Sequence, residues 1–322
     1  MRARSCARSP PRRCARRVPA ASSQPDAQDL AVLVKLLDDK ERDVEIAAVL
    51  TLGEHRVESA RTELLVRARL GTTPVRVAAL QAIGKLGGEF VLDALALATS
   101  DPDVQVRVAA AKGLAELADP SSIQLFIGML AEGRDGAVFE PVHAALMKLG
   151  KTAWPDLMRV AHTPGHRARR EATLLLSEQA VPEAASALMT MLTTTPTDAG
   201  IANELAVLTC VDFRGQPDPS GAWWNWWDGV VHDDSLAWFL GALERAGIAP
   251  PEREAFGGSG TPQARQFLCA VMSRPEGHLV ERARRELSRL VGRDLGEIPP
   301  RGSARDAWLA TLRESLQHQR EQ

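Results

Sequence analysis

Hydrophobic and polar positions along this chain recur with a period close to 31 residues. VEIAAVLTLGEHR begins at Val44, VRVAALQAIGKLG at Val75 and VRVAAAKGLAELA at Val106. Weaker copies, VFEPVHAALMKLG and ARREATLLLSEQA, begin at Val138 and Ala168, and a degenerate sixth, TDAGIANELAVLT, begins at Thr197. Successive starts lie 31, 31, 32, 30 and 29 residues apart, and such regularity marks stacked structural units. Within the second copy, Val75, Ala78, Ala79, Ala82, Ile83 and Leu86 share one face of an α-helix.

Another apolar-periodic stretch precedes each copy by about 15 residues, as with Leu30, Leu33, Val34 and Leu37, or Val91, Leu92, Leu95 and Ala98. Turn-forming segments (LDDKERD, GTTP, SDPD, EGRDG, HTPG) punctuate the pattern. Proline in TTPV and SDPD suits a first helical turn, where its missing N–H costs nothing, and neighbouring Ser, Thr or Asp can cap exposed amides. Each unit therefore reads as a helical hairpin. One hairpin cannot cover its own apolar face, whereas stacked neighbours can, so the pattern predicts an all-α fold, an α-solenoid.

The motif D-x-V-R-x-A-A-x-x-A-L-G-x-L-G, best kept at Val75–Gly87 and Ser100–Leu117, resembles the HEAT-repeat family, especially its short bacterial, phycobilin-lyase-type form. The resemblance spans roughly residues 27–210. It implies a right-handed superhelix of antiparallel helix pairs and a binding scaffold more often than an enzyme. The fourth copy departs most: Phe139 replaces the usual Arg and Pro141 sits near the helix start, which interrupts the family's Arg ladder.

Beyond residue 210 the texture changes, and ten of the fourteen aromatic residues lie there. ELAVLTCVDF (Glu204–Phe213) matches ELSRLVGRDL (Glu286–Leu295) at an offset of 82, and the same offset carries Trp226 onto Trp308. Each copy is a helix end, a loop with an Asp, a Pro-containing linker and a Trp-bearing helix. This resembles the L-x-x-L-T-G-x-D-x-G…W-W element that follows HEAT units in many bacterial proteins, with Cys210 standing where that pattern has Gly. Asp212 and Asp294 are expected to accept loop or helix-end amide bonds. Trp223, Trp226 and Trp227 share a face and are expected to cap the stack, leaving Trp224 the most exposed of the four. Further helices are expected near Asp233–Ala246, Gln263–Met272 and His278–Val291, with a mobile linker over Pro251–Gln263. The expected organisation is an Arg-rich leader at 1–25, an array of about six units at 26–215 and a Trp-rich helical extension at 216–322 that holds a further degenerate repeat.

Charge changes this picture in one respect. The chain is nearly neutral at −2, but residues 1–25 hold seven arginines and no acid, so the remainder carries 32 basic against 41 acidic residues, a net of −9. The leader is rich in Pro, Ser and Ala and lacks an apolar stripe, a composition that does not order alone. Three readings stay open for it: a leader without a role or an early start site, which is favoured, a targeting peptide, or a nucleic-acid-binding arm. Arginines break every apolar run a secretory signal would need, and no run approaches a membrane span, so a cytoplasmic location is expected.

Candidate chemistry is sparse. Four cysteines without CxxC spacing argue against a thiolate zinc site. His162 and His166 are separated by Thr163, Pro164 and Gly165, which breaks the helix an HExxH site requires. His232, Asp233 and Asp234 are adjacent and point in different directions. Gly150, Lys151 and Thr152 end like a P-loop, but Ala145 stands where its first Gly belongs. No catalytic residue, metal, cofactor or small-molecule ligand is assigned, and the chain is read as non-enzymatic. The eleventh residue of successive copies, however, reads Glu54, Lys85, Glu116, Lys148 and Glu178, alternating in sign. On second helices stacked about 10 Å apart, these would form an inter-repeat charge ladder on an exposed, concave face. Together with Gln81, Lys112 and Trp224 they form the candidate protein-interaction surface. Its mixed sign and the acidic body argue against nucleic acid as a partner. The leading expectation is a scaffold binding a protein partner. The family resemblance offers an accessory subunit or lyase of the bilin-attachment type as the alternative, and a DNA-binding HEAT-like protein as a third.

Overall fold

The computed structural model describes residues 27–132, 136–275 and 277–318, so the Arg-rich leader at 1–25 lies outside the described residues. Those described form 17 α-helices and four short 3-10 turns, with no strand among them. None of these helices is long and apolar enough to cross a membrane. The chain is all-α and built of stacked helix pairs, the arrangement of an α-solenoid. It packs as two compact units, Met1–Leu117 and Ala118–Gln322.

Unit 1 holds three hairpins: α1 (Ala27–Leu36) with α2 (Arg42–Glu54), α3 (Arg61–Leu70) with α4 (Thr73–Leu86), and α5 (Glu89–Ala98) with α6 (Val104–Leu117). The second helices α2, α4 and α6 pack in sequence, and the first helices lie on them. All six apolar positions of the second copy, Val75 to Leu86, are buried. Small residues decide how closely this layer packs. A Cβ added to Gly53 would stand 2.5 Å from Ala82 Cα, and one added to Gly84 would stand 2.7 Å from Gly113 Cα. In both contacts the tenth residue of one copy meets the eighth of the next. Backbone touches backbone there, so dispersion contacts are dense and little side-chain entropy is lost.

The helix endings repeat with the same period. Arg56, Gly87, Ala118, Gly150, Ala180 and Cys210 all adopt positive φ, between 48° and 69°. Left-handed backbone at this position reverses the chain out of each second helix and suits glycine. Four of the six sites nevertheless carry a side chain, each costing on the order of 1 kcal/mol. The conformation thus belongs to the stacking, which imposes it whether or not glycine is present.

Unit 2 continues with α7 (Ile123–Leu130), α8 (Phe139–Leu149), α9 (Trp154–Ala161), α10 (Arg169–Glu178), α11 (Ala184–Thr194) and α12 (Ala199–Thr209), again as pairs. Then follow α13 (Pro219–Val230), α14 (Ser235–Arg245), α15 (Pro262–Met272), α16 (His278–Val291) and α17 (Ser303–His318). Helix α16 packs directly against α12, so the two halves of the 82-residue self-similarity lie side by side. Cys210, at the end of α12, shares a core with Phe239, Phe256, Leu268, Leu287 and Leu309. The division expected near residue 215 therefore falls inside the second unit. Pro251–Gln263, expected to be a mobile linker, is a folded turn instead: Phe256 is buried and meets Phe267 edge-on, and Thr261 N–H bonds to Ala255 O. One aromatic side chain anchors what Gly and Pro content suggested was loose.

Candidate interaction surface

Glu54 ends α2, Lys85 lies in the last turn of α4, and Glu116 lies in the last turn of α6; all three are exposed. Lys112, one turn before Glu116, is exposed, and Gln81, one turn before Lys85, is half-buried. The first rung of the expected ladder is present at its outer limit, with Lys85 Nζ 4.0 Å from Glu54 Oε1. Lys112 and Glu116 form no ion pair with any described residue. Unit 1 therefore displays a mixed-sign strip on a layer closely packed through its Gly and Ala contacts, with two of its four charges unpaired.

The same column behaves differently in unit 2. Lys148 on α8 is exposed, but Glu178 on α10 is half-buried and lies 2.6 Å from His143 Nε2. His143 lies against the buried Phe139 ring, with centroids 5.4 Å apart and planes tilted by 36°. Phe139, where the family pattern has Arg, thus supports the histidine. Two arginines elsewhere bridge successive repeats: Arg76 pairs with Asp101 and Arg170 with Asp198, each joining one second helix to the loop that precedes the next.

Beside Glu178 begins a polar network that sequence reasoning missed. Ser177 donates to Glu204 Oε1 at 2.7 Å in a buried bond. Arg285 on α16 takes both Glu204 oxygens and donates to Glu281 Oε1 at 3.1 Å. Arg284 clamps Glu281 at 2.7 Å and reaches Asp294 at 3.1 Å. Burial opposes charge on Arg285, but the charge of Glu204 and its hydrogen bonds raise the guanidinium pKa above its ordinary value. Burial likewise opposes ionisation of Glu281, yet the bonds from Arg284 and Arg285 hold its carboxyl below the usual range. Glu281 is thus held by two arginines of its own helix, and Arg285 in turn ties α16 to Glu204 on α12. A signal for the network was available. Glu204 and Glu286 align in the 82-residue self-similarity, both are buried, and each meets an arginine, Arg285 and Arg289.

The loop aspartates act as expected. Asp212 accepts from Arg214 N–H and Asp294 from Gly296 N–H, each at 3.0 Å. The Arg214 side chain beside Asp212 lowers that carboxyl pKa to about 2. Cys210 takes the left-handed conformation where the resembling pattern has Gly, and burial pushes its thiol up to about 12. Burial also raises the Cys269 thiol, so neither is an activated nucleophile. His162, His166 and His232 are exposed, and Asp234 caps α14 through Ala237 N–H while pairing with Arg253.

Among the tryptophans, Trp223 is fully buried and meets Phe213 edge-on. Trp226 and Trp227 both pack edge-on against Trp238, at 5.3 and 5.7 Å between ring centres. Trp224 does not stand out as the exposed ring. It is half-buried like Trp226 and Trp227, with its indole N–H 3.3 Å from Thr193 Oγ1 on α11. The bond to the neighbouring helix fixes a ring whose position on α13 had suggested freedom.

Residues 62–147, from α3 to α8, match the family of HEAT repeats. No curated protein sequence matches the chain significantly. Among solved structures, the complex of CpcE and CpcF of phycocyanin lyase from Nostoc sp. PCC7120 aligns over 82% of this chain and 97% of that chain, at 19% identity and a TM-score of 0.38. At that TM-score the likeness carries no conclusion about activity. The HEAT-repeat match thus covers the second helix pair of unit 1 through the first pair of unit 2.

Proposed function

We propose that this HEAT-repeat chain is a non-enzymatic scaffold that binds a protein partner through the second-helix face of its repeats. The observation that carries the reading is the strip on α2, α4 and α6, where Lys85, Lys112, Glu54 and Glu116 project from a layer locked by Gly and Ala contacts. A rigid layer holds these groups at fixed spacing, so a partner of complementary charge loses little conformational freedom of the scaffold on binding.

The test is affinity capture from the native cell with the wild type and with Lys85→Glu/Lys112→Glu. The wild type is expected to retain a saturable protein partner and the reversed-charge variant to bind it at least about tenfold more weakly. The exposed Glu54–Lys85 pair contributes at most about 1 kcal/mol, so the variant should still fold. Equal capture by both proteins would remove the second-helix face from the proposal. Incubation with a tetrapyrrole and an acceptor protein is expected to leave the absorbance spectrum unchanged; a new bound-bilin band would overturn the non-enzymatic reading.

A further inference from the structure

The first-helix layers of the two units differ in what they show to solvent. In unit 1, Val32 on α1, Val66 and Leu70 on α3, and Phe90 and Leu97 on α5 are exposed. The corresponding helices of unit 2, α7, α9 and α11, expose no large hydrophobic among their described residues. Helices α3 and α5 pack side by side. Val66 and Leu97 are one 31-residue period apart, so they stand at the same level on neighbouring helices. Leu70 lies one turn beyond Val66, and Phe90 lies two turns before Leu97 on the same side of α5. Exposures of 77% at Leu70, 69% at Leu97 and 62% at Phe90 make this a contiguous apolar face, the kind of patch that marks an interaction site.

Two charges say what covers it. Arg69 on α3 and Asp93 on α5 are exposed on the same face, and neither has an ion-pair partner among the described residues. A face carrying one base and one acid around an apolar centre is complementary to itself. A two-fold axis sets Arg69 of each copy against Asp93 of the other, so the pair forms twice while the apolar centre is buried once from each side. We propose that the α3–α5 face is the isologous interface of a homodimer of this chain. The second-helix strip lies on the other helices of the hairpins and takes no part in it.

The test is sedimentation velocity on the full chain from about 1 to about 200 µM. The wild type is expected to dimerise as concentration rises. Leu97→Glu and Leu70→Glu should each raise the dissociation constant about 100-fold, as loss of a central apolar anchor does. Asp93→Arg and Arg69→Asp should each raise it about tenfold, while Asp93→Arg/Arg69→Asp, which restores the pair with its sign reversed, should return to within about threefold of wild type. All four positions are exposed, so at the lowest concentration, where every protein is monomeric, thermal unfolding should match wild type, which separates an interface effect from misfolding. A monomer at every concentration overturns the proposal, as does a dimer indifferent to Leu97→Glu, or a double reversal no better than the single ones. A chain that dimerises only after deletion of residues 1–25 would place the leader on this face and also overturn it.

Discussion

The tenth residue of one repeat copy and the eighth of the next meet in both units, but they meet by different physics. In unit 1 the contacts are Gly53 with Ala82 and Gly84 with Gly113, where backbones touch. In unit 2 the same two places hold Ser177 and Glu204, joined by a buried hydrogen bond and tied on to Arg285. The first device is apolar, has no directional partner and fails only if something larger is inserted. The second requires several polar groups to be satisfied together, because each was desolvated on folding. One architecture thus tolerates either solution at its closest approach, at the cost of opposite vulnerabilities.

Those vulnerabilities rank the expected effects. Glu204→Ala should be the most damaging change, destabilising by about 3–5 kcal/mol in urea unfolding, because it leaves Arg285 buried beside too few acceptors. Gly84→Val should follow at about 2–3 kcal/mol, since the new side chain meets the Gly113 backbone and cannot push it aside without separating α4 from α6. Valine in place of Glu204 would lack that steric penalty, so exchanging the two tests sharpens the distinction.

Acid should act on unit 2 through its carboxylates. Glu281 and Asp212 have folded pKa values below their unfolded ones, Asp212 at about 2. The stability they confer is present above the unfolded carboxylate pKa of about 4 and is lost as pH falls toward the folded values. The urea midpoint should therefore decline between about pH 4.5 and pH 2. Glu281→Gln/Asp212→Asn should flatten that decline, and an unaltered slope would assign acid sensitivity elsewhere. The smallest expected effect is a gain: Ala180→Gly should stabilise by about 0.5–1 kcal/mol by relieving a left-handed alanine, whereas Gly87→Ala should cost a similar amount.

The Glu204 and Gly84 cases also show why part of this molecule was readable beforehand and part was not. The period and the apolar face from Val75 to Leu86 are local properties, repeated often enough to rise above chance, and all six positions are buried. His278–Val291 was legible for the same reason and is helical over that span. The partners of Glu178 and Trp224 were not legible, because position on a helix says which way a side chain leaves, not what it meets. The Glu178 acceptor and the Trp224 indole found His143 and Thr193 on neighbouring helices. Phe256 closes its turn through a core assembled from residues far away in the chain.

The sequence by itself determined that this is an all-α chain of helical hairpins, which face of each hairpin is buried, and where the tryptophans gather. Those follow from periodicity, because a helix repeats its environment every few residues and a stack repeats it every unit. Only the tertiary structure decided that the array packs as two units, that one inter-helix position is closed by glycine in the first and by a Ser–Glu–Arg network in the second, and that every repeat ends in left-handed backbone whether glycine is there or not. These depend on which atoms stand within a few ångströms across helices distant in sequence, and desolvation, hydrogen bonding and steric overlap are settled at that range.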